Sequence, residues 1–230
     1  MYLSTYLLQH VYQWNRPTAI RFNADVTAKL GYLTHMTHPY IELKYTTHTM
    51  DYAAKYGHLD VIKWLHHNCN EGCTTLAMDW ASIYGHLDVI KFLHHNRTEG
   101  CTGWAMDYAA ANGHLEIVKW LHENRTEDCT TDAMDNAARY GQLEIVKWLH
   151  KNRTEGCTKA AMNWAAWFGH LDTVKWLHEN MHIRYDIEEA VDAAEENGQL
   201  EVANWLRENC DECSNSVTEV SADYTGYQNT

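Results

Sequence analysis

The chain has 230 residues, 45% of them hydrophobic, and 31 acidic side chains against 18 Lys and Arg, for a formal net charge of -13. That is long enough and apolar enough to bury a core, which excludes disorder for most of the sequence. The acidic balance, with no Lys/Arg cluster to offset it, excludes a phosphate backbone as the natural partner and fits basic or amphipathic protein partners better.

Only 2 prolines and 12 glycines punctuate the sequence, which points to helices rather than to a many-turned β fold. The opening stretch, MYLSTYLLQHVYQWN, has neither a basic leader nor an unbroken apolar run, and no 18 apolar residues occur together anywhere. The expectation is an intracellular protein, cytoplasmic or nuclear, neither secreted nor membrane-bound. Seven cysteines, an odd number, read as reduced thiols in that setting. Leu3, Leu7, Val11 and Trp14 predict one amphipathic helix before Pro17. Residues 1–44 are therefore read as an N-terminal helical cap or degenerate repeats, with a helix that recruits further machinery, as in an adaptor, as the alternative.

From residue 45 onward the sequence repeats. LHHNCNEGCT at 65 returns as LHHNRTEGCT at 93, LHENRTEDCT at 121 and LHKNRTEGCT at 149, a step of 28 residues. Glycines 57, 85, 113, 141, 169 and 198 keep that step, with one extra residue before the last. Six units follow: 45–72, 73–100, 101–128, 129–156, 157–185 and 186–213. Self-similarity at such a period marks a solenoid whose units bury their apolar faces against neighbours. In the third unit Ala105, Met106, Ala109 and Ala110 predict a first helix that stops at Gly113. Leu115, Ile117, Val118, Trp120 and Leu121 predict a second that ends near Asn124. Thr102 is placed to cap the first helix, and Glu116 and His122 sit at the favourable ends of the second. The last unit, with ten acids and one arginine, has the polar face that a terminal repeat needs, and residues 214–230 read as a polar, disordered tail.

The stretch AMDYAAANGHLEIVKWL resembles the heart of an ankyrin repeat, whose pattern is T-P-L-H-x-A-A-x-x-G-H-x-x-V-V-x-L-L. Ala109, Ala110, Gly113, His114, Val118 and Leu121 fall on matching places. The resemblance implies an all-α fold, an ankyrin-like helix-turn-helix solenoid. Trp104-Ala105-Met106-Asp107 departs from the family's Thr-Pro-Leu-His, and the period is 28 rather than 33, so the β-hairpin fingers should be shortened or absent.

Register separates structural residues from functional ones, because a catalytic group must be singular while a structural one recurs. Histidines recur at 66, 94, 122, 150 and 178, and again at 58, 86, 114 and 170; cysteines recur at 73, 101, 129 and 157. Neighbouring repeats about 8 to 10 Å apart cannot be joined by a disulfide that needs Cα atoms within about 7 Å. Cys69/Cys73 and Cys210/Cys213 lie too far apart to share one zinc ion. A local site at Cys210, Cys213 and His178 or His182 is the alternative to no metal at all. The Asn-Arg-Thr sequons at 96, 124 and 152 read as helix-ending turns. Asp51, Asp79, Asp107, Asp135 and Asp192, with Asn163 in phase, read as acceptors for neighbouring backbone N–H groups. Trp64, Trp120, Trp148, Trp176 and Trp205, with Phe92, read as core.

The out-of-phase residues are Trp80, Ile83, Tyr84, Trp104, Tyr108, Asn112, Arg139, Tyr140, Trp164, Trp167 and Phe168. They map to the first helix and the turn before the glycine, which line the concave binding surface in ankyrin-like proteins, and aromatics and arginine are enriched at interface hot spots. With no singular nucleophile, base or phosphate-cradling loop, the sequence predicts no enzyme and no cofactor. It predicts a monomeric scaffold that binds a protein partner. Sixteen histidines add an alternative, a binder whose affinity responds to pH.

Overall fold

The computed structural model describes residues 20–38, 41–181 and 186–214. Two compact units divide it, one ending at Cys101 and the other beginning at Thr102. The first contains strand β1 (Ile20–Asn23), helices α1 (Ala24–Lys29) and α2 (Leu33–Met36), strand β2 (Ile41–Lys44), and then α3 (Thr47–Lys55), α4 (Leu59–Asn68), α5 (Leu76–Ile83) and α6 (Leu87–Asn96). The second is α7 (Trp104–Ala111), α8 (Leu115–Asn124), α9 (Asp132–Arg139), α10 (Leu143–Asn152), α11 (Lys159–Trp167), α12 (Leu171–Asn180), α13 (Ile187–Glu196) and α14 (Leu200–Ser214).

In the first unit α1 packs on α3 and α3 on α5; in the second, α7, α9, α11 and α13 pack in sequence, each also against the helix that follows it. Alanines at the helix–helix contacts let the first helices approach closely: Ala53, Ala54, Ala77, Ala81, Ala109, Ala137 and Ala165 are all buried. Beneath them Met50, Met78, Met106, Met134 and Met162 meet the Val/Ile-Leu stripes of the second helices, such as Val61, Ile62 and Leu65. Each fully buried Val, Ile, Leu or Met contributes about 1.5–3 kcal/mol.

Three details differ from the sequence reading. Residues 20–44 carry a two-stranded parallel ribbon, with Ile20 opposite Ile41 and Asn23 opposite Lys44, around the short α1–α2 pair. Each strand leads into a first helix, so two successive connectors pair as strands here. No strand occurs in the later connectors among the described residues, where the fingers of longer repeats would stand. The helix expected around Leu3–Trp14 and the tail from 215 lie outside the described residues.

Second, the Trp64-to-Trp205 series is half-buried rather than core. Each ring lies at the flank of its second helix, and histidines of preceding repeats meet such rings edge-on, as His66 does Phe92, His122 Trp148, His150 Trp176 and His178 Trp205, at 5.2 to 5.7 Å between centroids. Third, the cap residue of α7 is Gly103, and the Thr102 hydroxyl accepts from the Trp104 N–H at 3.3 Å from one position further out.

The glycine and histidine ladders are one device. Gly57 and Gly141 have φ of +71° and +68°, which disfavours any L side chain. A Cβ at Gly141 would also stand 2.7 Å from His170 Nδ1 of the next repeat. That ring fills the space and donates from Nε2 to the Arg139 carbonyl at 3.0 Å, closing the end of α9; His86 does the same to the Lys55 carbonyl at 3.1 Å.

Candidate functional site

The repeated polar residues are spent on joining repeats. Asp51 is fully buried and accepts from both the backbone N–H and the hydroxyl of Thr74, at 2.8 and 2.9 Å. Asp107 binds Thr130 and Asp135 binds Thr158 in the same two-pronged way. Burial pushes the Asp107 and Asp135 carboxyls above their ordinary range, and the threonine hydrogen bonds oppose it. The series ends at Asn163, because Asp186 stands where the next threonine would be, and Asp192 is exposed.

The connectors are equally committed. Arg97 pairs with Glu99, Arg125 with Glu127 and Arg153 with Glu155. The Asn96, Asn124 and Asn152 amides donate to carbonyls four residues earlier, so the sequon nitrogens close helix ends. The hydrogen bond from Arg153 brings the Glu155 carboxyl down to about 2. Cys73, Cys101, Cys129 and Cys157 are all free thiols, and burial pushes Cys73, Cys129 and Cys157 up to about 12, far from a reactive thiolate. The side chains of Cys210, Cys213 and His182 lie outside the described residues.

What remains is the set of variable positions; apart from Trp104, which stands at the start of α7, these fall on three registers of the first helix and turn. The first runs Tyr52, Trp80, Tyr108, Asn136, Trp164; the second Lys55, Ile83, Ala111, Arg139, Trp167; the third Tyr56, Tyr84, Asn112, Tyr140, Phe168. In the first unit Trp80 and Ile83 are half-buried and Tyr84 is 50% exposed. In the second, Trp104 is 59%, Tyr140 51%, Tyr108 44%, Phe168 41% and Trp164 37% exposed, while Arg139 and Trp167 are half-buried. Asn112 is exposed and turns its amide back to the Tyr108 carbonyl at 2.8 Å, ending α7. These exposures far exceed those of the alanines on the same helices, so the rings face outward.

The rings are organised around cations in the same way in both units. Lys55 Nζ lies 5.0 Å from the Trp80 ring, 5.2 Å from Tyr84 and 5.8 Å from Tyr56. Arg139 Cζ lies 4.6 Å from Trp164 and 5.4 Å from both Tyr140 and Phe168. Each cluster takes a cation and the next residue from one repeat and two aromatics from the following one. Cation–π attraction of about 0.5–1 kcal/mol per exposed contact favours these ring poses. Tyr52, Lys55 and Tyr56 were not among the residues singled out from the sequence, although extending the register back by one unit from Trp80, Ile83 and Tyr84 reaches all three.

The family model for ankyrin repeats matches residues 50–133 and again 134–218. The chain belongs to the ankyrin-repeat family. No curated protein matches the chain. Ankyrin repeats are generally protein–protein interaction modules and generally non-catalytic. No described helix is long and apolar enough to cross a membrane.

Proposed function

We propose that this ankyrin-repeat chain is a monomeric, non-enzymatic scaffold that holds a partner protein on the first-helix and turn face of its repeats. The observation that carries the reading is the contrast between recurring and variable positions. The aspartate and histidine series join repeats, the arginine–glutamate pairs brace the connectors and the cysteines are buried, while the variable positions present large rings to solvent. Rigid, outward-facing aromatics and a stacked arginine supply contact area at low entropic cost, the composition of binding hot spots. A backbone fixed by repeat-to-repeat bonds holds that surface in place before the partner arrives.

The test replaces Trp104, Tyr140, Trp167 and Phe168 by alanine together. Circular dichroism should show a folded chain, and partner capture should be lost. Unchanged capture by the folded variant would sink the assignment of this face, and loss of folding would reassign these residues to the core.

A further inference from the structure

In the second unit a groove of about 540 Å³ opens between α11 and α13, within the range of ligand pockets. Trp164 and Trp167 form its apolar side, and Glu189, Asp192 and Glu196 line it from α13. We infer that this groove receives a basic side chain, arginine or lysine, from the bound partner. The inference rests on the protein-binding reading of this face and specifies the chemistry of one subsite.

Three features select a cation. The groove lines three carboxylates against one ammonium, Lys159, and that ammonium is already held 2.8 Å from Glu189. The nearby Arg207 is engaged 2.5 Å from Glu195. Asp192 and Glu196 are exposed acceptors on the groove wall outside these two ion pairs, with Arg207 near enough to Asp192 for their charges to interact. Next, Asn163 lines the groove, directs its amide to Glu189 and leaves Oδ1 buried without a donor. Oδ1 is sealed from the groove, so Asn163 contributes the donor that holds Glu189 as an acceptor on the wall, and a guanidinium or ammonium brings donors and accepts nothing. Finally, the indoles of Trp164 and Trp167 lie 6.2 Å apart and edge-on to each other; Arg139 already stands 4.6 Å from the Trp164 ring, while no described cation lies over Trp167, whose indole is of the kind that attracts cations most strongly. A neutral apolar side chain would satisfy the indoles alone, and an acidic one would meet like charge.

This subsite arises where the repeat series breaks. Asn163 replaces the aspartate, Asp186 replaces the threonine, and the polar terminal repeat faces the two tryptophans. The loss of the Asp–Thr joint leaves Asn163 Oδ1 without the threonine donor of earlier repeats and turns its amide to Glu189 on the groove wall.

The test uses the full chain labelled at its tryptophan indole nitrogens and followed by NMR. The probes are N-acetyl-arginine methylamide, the lysine equivalent and the citrulline equivalent, which keeps the shape of arginine without its charge. Trp164→Phe and Trp167→Phe assign the two signals. Arginine and lysine probes should shift both signals, and citrulline should bind roughly fivefold or more weakly, the factor that one exposed charge pair near 4 Å in water supplies. The exposed double variant Asp192→Asn/Glu196→Gln should weaken arginine binding by a similar factor at unchanged melting temperature, while leaving citrulline unaffected. Silent Trp164 and Trp167 signals, equal binding of citrulline, or indifference to the double variant would each overturn the inference. Partner capture by the fourfold alanine variant reads the wider face separately, so a failed titration removes the cation subsite and unchanged capture removes the face.

Discussion

Replacing Asp51 measures how strongly one repeat is joined to the next. Its carboxylate is fully buried and receives two hydrogen bonds from Thr74, at 2.8 and 2.9 Å, with His48 Nδ1 at 3.3 Å. Hydrogen bonds to a charged group are worth about 1.5–3 kcal/mol each. Because the two share one carboxylate and one threonine they do not add in full, so Asp51→Ala should cost about 3 kcal/mol. Asp51→Asn keeps the acceptor for the backbone N–H and should cost about 1 kcal/mol. Thr74→Val removes only the hydroxyl, and its cost should shrink by about 1 kcal/mol in the Asp51→Ala background, the coupling expected of groups in direct contact. Urea denaturation followed by both circular dichroism and tryptophan fluorescence gives these values, with coincident curves confirming that the array unfolds as one transition. Asp192, at the same register but exposed, provides the control, and its alanine variant should stay within about 0.5 kcal/mol. An Asp51→Ala variant no weaker than that control, or absent coupling to Thr74, would refute the aspartate–threonine joint.

Gly141→Ala forces a side chain into left-handed backbone and against His170, and should lower stability by about 2–3 kcal/mol; made in a His170→Ala background, which removes the clash, the same substitution should cost only the backbone part, about 1–2 kcal/mol relative to His170→Ala alone. Cys73, Cys101 and Cys129 are buried, so a thiol reagent at pH 8 should label them only at the rate of unfolding, and labelling as fast as in urea would contradict their placement. Glu155 titrates in the folded chain near 2 rather than at its ordinary 4.5, so its contribution is complete above about pH 4.5 and disappears as pH falls toward 2. The stability difference between the native chain and Glu155→Gln should therefore be about 1 kcal/mol at pH 7 after solvent screening and approach zero near pH 2; a pH-independent difference would contradict the Arg153 pairing. Asp135, raised by burial, shifts stability with the opposite sign in both proteins and cancels from that comparison.

Most of the architecture was legible because the repeat multiplies weak signals. One alanine pair, glycine or Val-Leu stripe says little, but the same residues at a fixed step identify helices, turn and core together. The N-terminal ribbon escaped because IRFN and IELK, although they alternate apolar and polar residues, are only four residues long, and their pairing is set by tertiary contact rather than by local preference. The tryptophans of the second helices were read as core because recurrence reports a shared role and not its depth; the flanking histidines explain why that role lies at half burial. The candidate surface was legible by subtraction, as the positions that refuse the register. Its acidic groove was not, since it depends on Asn163 and Asp186 failing together and on residues of α13 that approach α11 only in the folded chain.

The most direct measurement of the central claim is site-specific photo-crosslinking in cells that contain the partner. A photoreactive amino acid would be placed singly at Trp104, Tyr140 and Phe168 on the first-helix and turn face, and singly at Lys63, Glu123 and Lys151 on exposed positions of the second helices. The account predicts one and the same crosslinked protein from the first three positions and none in common from the second three. Crosslinks to a shared partner from Lys63, Glu123 and Lys151, with silence at Trp104, Tyr140 and Phe168, would contradict it.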